Sequence, residues 1–549
     1  MGRIFMFDEI RELTKKLVSI PSINNTVGER EIALYIKNYL SEIPYFQEHP
    51  DYIIVQELEK DYYDRLNVFA YIKGEKVESK DTILLHGHID TVGIEDYKGL
   101  KDYAFDSEKL AEMLKEMELS EEVLQDLRSG EYMFGRGACD MKSGDAVFLV
   151  LIKKLSEHPE KLKGNILLSL NPVEENLHTG IIEALEILKD LKDKEGFEYK
   201  LAINNDFICP LFPGDSRRYI YTGTVGKLLP CFYIQGKETH VGQCFEGFDA
   251  SMAASLLVNE INLNTEYCDG YDGEYTLPPS VLKIKDLKTW YNVQTADGAF
   301  VYFNYFVHNS TVDEIIKKLK GAAGKVLSEL ISKYNLEYRK YCNLSGMEYK
   351  EIAYEWEVLE YQELYELARK EFPGDMVEYL RIITDSELLE GTDKRDIPLR
   401  LTRELMTIAK KKNPAIVLFF AAPYCPHNLL KEEGAEERLV KELEEIAIGV
   451  GKEYKEEYKV LKFFPSLSDS SYLKSDDSQE SVDHLIRNFP QFDQLYPLPV
   501  ERIRDLNIPC VNFGCYGKDA HKWTERVFMP YSFRVLPQLI LETIKHYLM

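Results

Sequence analysis

Residues 81–93, DTILLHGHIDTVG, constrain this chain more than any other stretch. Ile83, Leu84 and Leu85 form an apolar run that reads as a short buried strand. It ends abruptly in His86, His88 and Asp90. On an extended backbone, residues two apart share a face, so His88 and Asp90 project together. An imidazole beside a carboxylate suits a metal ligand with an orienting group, because the carboxylate can fix the ring tautomer or reach the metal itself. A solvated histidine and a turn aspartate would look the same in isolation, so the weight of the motif depends on what the rest of the chain brings to it.

The surrounding pattern alternates helices with apolar strands, as in an α/β domain with a mostly parallel sheet. Residues 7–19 and 28–41 are amphipathic helices, and short β-rich runs lie at 51–57 and 66–73. At 135–145, GRGACDMKSGD sets Asp140 in a glycine-rich turn ahead of the apolar run AVFLVLIKKL, which reads as a buried helix. A carboxylate there can accept unpaired backbone N–H groups and is favoured by the helix dipole. The strand 164–171 runs into Glu174 and Glu175, two adjacent acids that point different ways. The strand 198–206 ends in Asn204, Asn205 and Asp206. Three successive units thus deliver acid or imidazole groups where strands end, which is the binding edge of a parallel sheet. So many carboxylates in one place would repel one another, and divalent cations resolve the conflict. Histidine with carboxylates suits zinc, with cobalt or manganese as alternatives.

Beyond about residue 220 the pattern becomes strand, helix, strand, helix: 226–236, ending in GKETHVG with His240 in a loop, then 248–261, 299–307 and 311–334. Residues 343–410 are helical and charged, and 414–423 is a closing strand. From about 430 the first pattern resumes and carries His521 in GKDAHKWTE, with Glu525 in position to orient it or cap the loop. The expectation is one domain over 1–217 and 429–549, interrupted by a second over 218–428. Residues 94–131 read as a solvated, helical excursion.

Composition narrows the function classes. With 549 residues, two or more domains are expected. A net charge of −26 argues against nucleic acid and anionic membrane surfaces, which demand basic patches. Nine scattered cysteines, with no C-x-x-C pair, fit a reducing cytoplasm. The N-terminal residues hold no signal-peptide core, and no apolar run is long enough to span a membrane.

Five motifs, GHIDTV, GRGACDMKSG, the Glu174-Glu175 pair, GKETHVGQCFEGFDA and GKDAHKWTE, occur in an order that resembles the M20 family of metallopeptidases and amidohydrolases. The large middle domain and the NND and PYCPH stretches resemble the arginine-utilisation, RocB-type branch. The resemblance implies a zinc-exopeptidase-like catalytic domain with a mixed, mostly parallel sheet, interrupted by an α+β lid domain. It implies two divalent ions: His88 and Asp206 on one, His521 and Glu175 on the other, and Asp140 bridging. Glu174 would be the general base, Asp90 would orient His88, and His240 of the lid would stabilise the oxyanion. A cis Asp140–Met141 peptide is also implied.

The implied activity is hydrolysis of a C–N bond (amide, peptide or ureide) in a small amino-acid derivative or short peptide, with arginine or ornithine catabolism as the context. The alternative is a metal-binding, non-catalytic regulatory or binding protein, against which the intact Glu174 argues. A homodimer through the lid and a large insertion shielding the site are both compatible with 218–428. Many relatives carry a carboxylate-gripping Arg where this chain has Asn304-Tyr305-Phe306. His178, Asn205, Arg217, Arg218 and Asp469 are the candidate replacements, and His86 is expected to be a core or supporting residue rather than a ligand.

Overall fold

A computed structural model of the protein describes residues 3–549, with side chains from Met6 onward. The chain forms two units. The first takes the chain up to Thr224, then Asn428–Ser475 and Pro499–Met549, and the second takes Val225–His427 and Asp476–Leu498. Among the described residues no helix is long and apolar enough to cross a membrane.

The first unit is built on an eight-stranded mixed sheet. Its strand order is Ile53–Glu57, Leu66–Ile72, Asn165–Asn171, Asp81–His88, Glu198–Asn204, Cys510–Asn512, Arg218–Tyr221 and Tyr458–Leu461. The first three strands pair antiparallel. The next pairings, from Asn165–Asn171 across to Cys510–Asn512, are parallel. Strands Leu66–Ile72 and Asn165–Asn171 are buried along their whole length, because both faces of the sheet are covered. That is why they read as continuous apolar runs rather than alternating ones. The helix Lys142–Ser156 is buried at every position from Lys142 to Ile152. It shares a core with the C-terminal helix Leu536–Leu548, in which Val147, Phe148, Leu539 and Ile540 are fully enclosed. Each such side chain contributes about 1.5–3 kcal/mol by leaving water.

Register positions the chemistry. His88 pairs with Asn171, and His86 pairs with Asn204. The three parallel strands therefore end level with one another, and the residues that follow each end emerge at one edge.

Residues 94–131 depart from the expected solvated excursion. The turns of Glu95–Tyr103 and the helices Ser107–Leu114 and Glu121–Ser129 enclose an apolar cluster of their own, made by Tyr97, Leu100, Ala104, Leu110, Leu114, Val123 and Phe134. The charges that dominate this stretch in sequence lie on its outer faces, while the apolar positions recur at helical spacing.

The second unit carries a sheet ordered Ser280–Asp286, Gly298–Val307, Pro230–Gln235, Ala415–Phe420 and Glu357–Glu360, antiparallel except for the last pair. The helices Ala250–Ile261 and Val312–Ser345 pack against it. The longer one starts at a capping box, Thr311 with Glu314, and stops at a left-handed Gly346. Three helices, Tyr361–Glu371, Met376–Leu389 and Ile397–Ile408, fill most of 343–410.

Two boundaries differ from expectation. Strand Arg218–Tyr221 belongs to the first unit, where it pairs with Tyr458–Leu461. Residues 476–498 join the second unit instead of the first. Ser481 Oγ accepts from Val312 N at 3.0 Å, Asn488 O accepts from Phe420 N at 2.9 Å, and Val482 and Leu485 are buried.

Candidate metal centre

The residues singled out at the strand ends of the first unit converge. His88 follows directly from its strand and is 2% exposed. Its Nε2 lies 3.0 Å from Asp140 Oδ1, and its Nδ1 lies 3.2 Å from the Asp90 carbonyl and 3.6 Å from Asp90 Oδ1. The other Asp140 oxygen, Oδ2, lies 3.1 Å from His521 Nε2, which is also 2.9 Å from Glu175 Oε1. Three groups of side chains could each hold a cation: the two triads His88, Asp140 and Asp206, and Asp140, Glu175 and His521, and a separate group of Glu174, His178 and Asp469. Within each group the ligand atoms lie within 4.8 Å of one another, and Asp140 belongs to both triads. His240 lies in the second unit, exposed at the start of the turn Val241–Glu246, where its Nδ1 accepts from Gly242 N at 3.0 Å.

The electrostatics suit cations. Burial pushes the Glu174 and Asp206 carboxyls well above their usual range, and neighbouring acids (Glu175 and Asp469 for the first, Asp140 for the second) push the same way. Burial also raises Asp140, but hydrogen bonds from His521 and His88 reverse this and leave it below the usual carboxylate range. Burial lowers His521, and Asp140 and Glu175 overcome that and bring it to about 11. A buried set of acids held together by protonated imidazoles is what a divalent ion replaces. One imidazole with two carboxylates per triad fits zinc and its neighbours.

Asp90 touches more than His88. Its Oδ1 accepts from Glu174 N at 3.0 Å, and its Oδ2 accepts from Glu175 N at 3.1 Å and Asn24 Nδ2 at 2.9 Å. The Asp90 backbone carbonyl thus meets the imidazole, while its fully buried carboxylate fixes the backbone of the glutamate pair. The turn that carries this pair is strained. Val173 has φ 73° and His178 has φ 55°, and a β-branched residue rarely adopts the left-handed region. Val173 N donates to Glu29 Oε1 at 3.2 Å, and Glu29 in turn pairs with Arg65 at 3.1 Å. Arg65 also pairs with Asp61. Glu29 is fully buried, and burial together with Asp90 lifts its carboxyl to about 8. In sequence Glu29 is an ordinary acid in a helical first turn, and nothing there marks it as part of the site.

Glu525 does not orient His521. Its Oε1 accepts from Cys139 N at 3.0 Å and Asp140 N at 3.2 Å, and its Oε2 pairs with Arg136 Nη1 at 2.7 Å. It thus caps the turn that presents Asp140. Arg136 is held in turn by Asp96 Oδ1 at 2.8 Å and the Gly93 carbonyl at 3.1 Å. The Asp140–Met141 peptide is cis. His86 is fully buried, with Nε2 3.1 Å from Ser470 Oγ, and joins neither triad.

The candidate carboxylate grips are all committed to other contacts. Asn205 Nδ2 donates to the Gly144 carbonyl. Arg217 pairs with Asp215. Arg218 pairs with Glu456 and lies over the Tyr516 ring. His178 and Asp469 are buried and pair with each other at 3.0 Å.

Comparison with known proteins identifies the family. The profile of peptidase family M20/M25/M40 matches residues 84–473, a span that holds every residue of the two triads except His521. Protein RocB of Bacillus subtilis (strain 168) is 41% identical over 549 residues, covering 98% of this chain and 95% of its own. The succinyl-diaminopimelate desuccinylase of Helicobacter pylori (strain HPAG1) is 26% identical over 338 residues, covering 59% of this chain and 76% of its own. A tripeptidase structure from Staphylococcus aureus subsp. aureus Mu50 shares the fold with a TM-score of 0.53 at 14% identity, over 98% of both chains. With strand-end acids and imidazoles in the family's order and the family profile spanning most of the sequence, the chain belongs to peptidase family M20/M25/M40 and is a hydrolytic enzyme.

Proposed function

We propose that this hydrolase is a dinuclear metal enzyme that cleaves a C–N bond in a small amino-acid derivative or short peptide. The observation that carries this reading is the pair of triads sharing Asp140, with Glu174 Oε2 4.0 Å from His88 Nε2. His88, Asp140 and Asp206 would hold one ion, and Asp140, Glu175 and His521 the other. When bound, such a pair supplies Lewis acidity toward a carbonyl and lowers the pKa of water. Glu174 takes a proton from the attacking water and passes it to the leaving nitrogen. Asp90 keeps both Glu174 and His88 in place through the contacts described above.

In this reading the first unit is catalytic and the second is a lid that supplies His240 as an oxyanion donor. The His240 assignment rests on family likeness, as does dimerisation through the lid. Zinc is the first metal to test, followed by cobalt and manganese. The substrate class to try first is acyl and carbamoyl derivatives of arginine, citrulline and ornithine, because the motifs resemble the arginine-utilisation branch. The experiment is metal analysis of the purified protein, combined with a screen of acyl- and carbamoyl-amino acids and dipeptides on wild type and Glu174→Gln. Two bound ions per chain, with turnover in wild type only, supports the reading. Metal bound without turnover of any member of the panel would favour the non-catalytic binding protein.

A further inference from the structure

Glu174 has a second neighbourhood, on the side away from His88. Its Oε2 lies 4.0 Å from His88 Nε2, while its Oε1 lies 3.9 Å from His178 Nδ1. The same Nδ1 lies 3.0 Å from Asp469 Oδ1. Glu174, His178 and Asp469 are 8%, 1% and 3% exposed, so this group is screened from water almost completely. The His178 ring also packs at 5.2 Å from that of Tyr472.

Asp469 is itself fixed from three directions. It opens the short turn Asp469–Tyr472, which Ser468 caps through Ser470 N. Ser468 Oγ accepts from Asn204 Nδ2 at 2.7 Å, at the end of the strand that leads to Asp206. Ser470 Oγ meets His86 Nε2 at 3.1 Å, on the strand that ends in His88. The turn is therefore clipped to two of the strands whose ends build the site. His178, at the far end of the glutamate turn, holds a left-handed backbone conformation that a histidine adopts at a cost.

We infer that the buried His178–Asp469 pair is a positioning device for Glu174. Asp469 orients the His178 ring, and the Nδ1–H draws Glu174 Oε1 back, so that Oε2 is the oxygen turned toward His88 and the reacting water. At 3.9 Å the Nδ1 acts on Glu174 as a directed electrostatic neighbour and leaves its full hydrogen bond to Asp469. This inference rests on Glu174 being the proton acceptor proposed above. It also reassigns two residues that the sequence offered as grips for a substrate carboxylate: they act on the enzyme's own glutamate.

The test separates the Nδ1 donor from the backbone effect. His178→Gly tolerates the left-handed conformation but has no donor, whereas His178→Asn tolerates it and keeps an N–H near the Nδ1 position. A misplacement of about 1 Å in a reacting group costs on the order of 10²-fold. The expected result for His178→Gly is a loss of about 10²-fold in kcat, with KM within about twofold and metal content unchanged. His178→Asn should recover most of that loss. Asp469→Leu should match His178→Gly, and the double variant should lose little more than either single one, since both act through one contact. Full kcat in His178→Gly, an Asn variant no better than the Gly variant, metal loss in either, or additive losses in the double variant would each overturn the inference. Glu174→Gln, assayed beside them, tests the underlying reading separately: turnover in that variant removes Glu174 as the base whatever the His178 series shows.

Discussion

The glutamate turn of the first unit and the His240 loop of the second make opposite use of their surroundings. Glu174 and Glu175 sit on a strained turn that buried partners hold at several points: Asp90 on both backbone N–H groups, Glu29 on Val173 and His178 at the far end. Strain of about 1–3 kcal/mol per residue persists only where the neighbours over-determine the conformation. His240 is exposed, and its Nδ1 is occupied by a contact within its own turn. Its loop is shaped by local capping, so its own unit does not define a chemical task for it. The contrast teaches that the first unit fixes the glutamate turn through its own packing, while nothing packed around His240 in the second unit fixes a task for it.

That contrast can be broken at four points. Glu174→Gln should lower kcat by about 10²–10⁴-fold while keeping both metals, the range for a lost general base. Equal metal loss and activity loss would instead make it a ligand. Glu29→Ala should destabilise the protein by about 1–3 kcal/mol, because it leaves the buried Val173 N–H and one side of Arg65 without their acceptor while Asp61 still pairs with Arg65. Chemical denaturation of the metal-free protein measures this, and a change below about 1 kcal/mol would show that the Val173 anchor is dispensable. His240→Ala should lower kcat by about 10²–10³-fold if it donates to the oxyanion, with no change in metal content or stability. The mass of the protein in solution, measured alongside, tells whether a second copy is available to supply it. Glu175→Gln should weaken metal binding by at least about 10–100-fold, as titration with a competing chelator would show.

Much of this was legible in the sequence because it is local. Apolar runs that end in His88, Asp206 or the glutamate pair announce both a strand and its terminus, and a parallel sheet brings such termini to one edge. Asp140 was legible because glycines surround it ahead of an apolar helix. The supporting residues were not, since each depends on a meeting across the fold. Glu29 and Arg65 lie 36 positions apart, and neither has a local signature of burial. Glu525 stands four residues from His521, which suggested a pairing between them, but the backbone carries its carboxylate to Cys139 and Asp140 instead. Residues 476–498 lie between two segments of the first unit in sequence, where the first-domain pattern resumes, yet they belong to the second. Their contacts, Ser481 with Val312 and Asn488 with Phe420, are non-local and carry no pattern of their own.

The capping of the Asp140 turn has a kinetic meaning. Arg136 and Glu525 are 389 positions apart. The strand Cys510–Asn512, which enters the sheet between Glu198–Asn204 and Arg218–Tyr221, must also arrive from the far end of the chain. Closing a loop of that length carries an entropic penalty that must be met before the contact forms, so such pairings form late. A nascent chain can lay down the strand bearing His88 and the buried helix after Asp140 long before Glu525 arrives to cap the turn or His521 to complete the second triad. Chains that have not recruited their final segment therefore lack both the cap for Asp140 and the imidazole of the Asp140–Glu175–His521 triad, so the first unit completes this cluster only when its last segment docks.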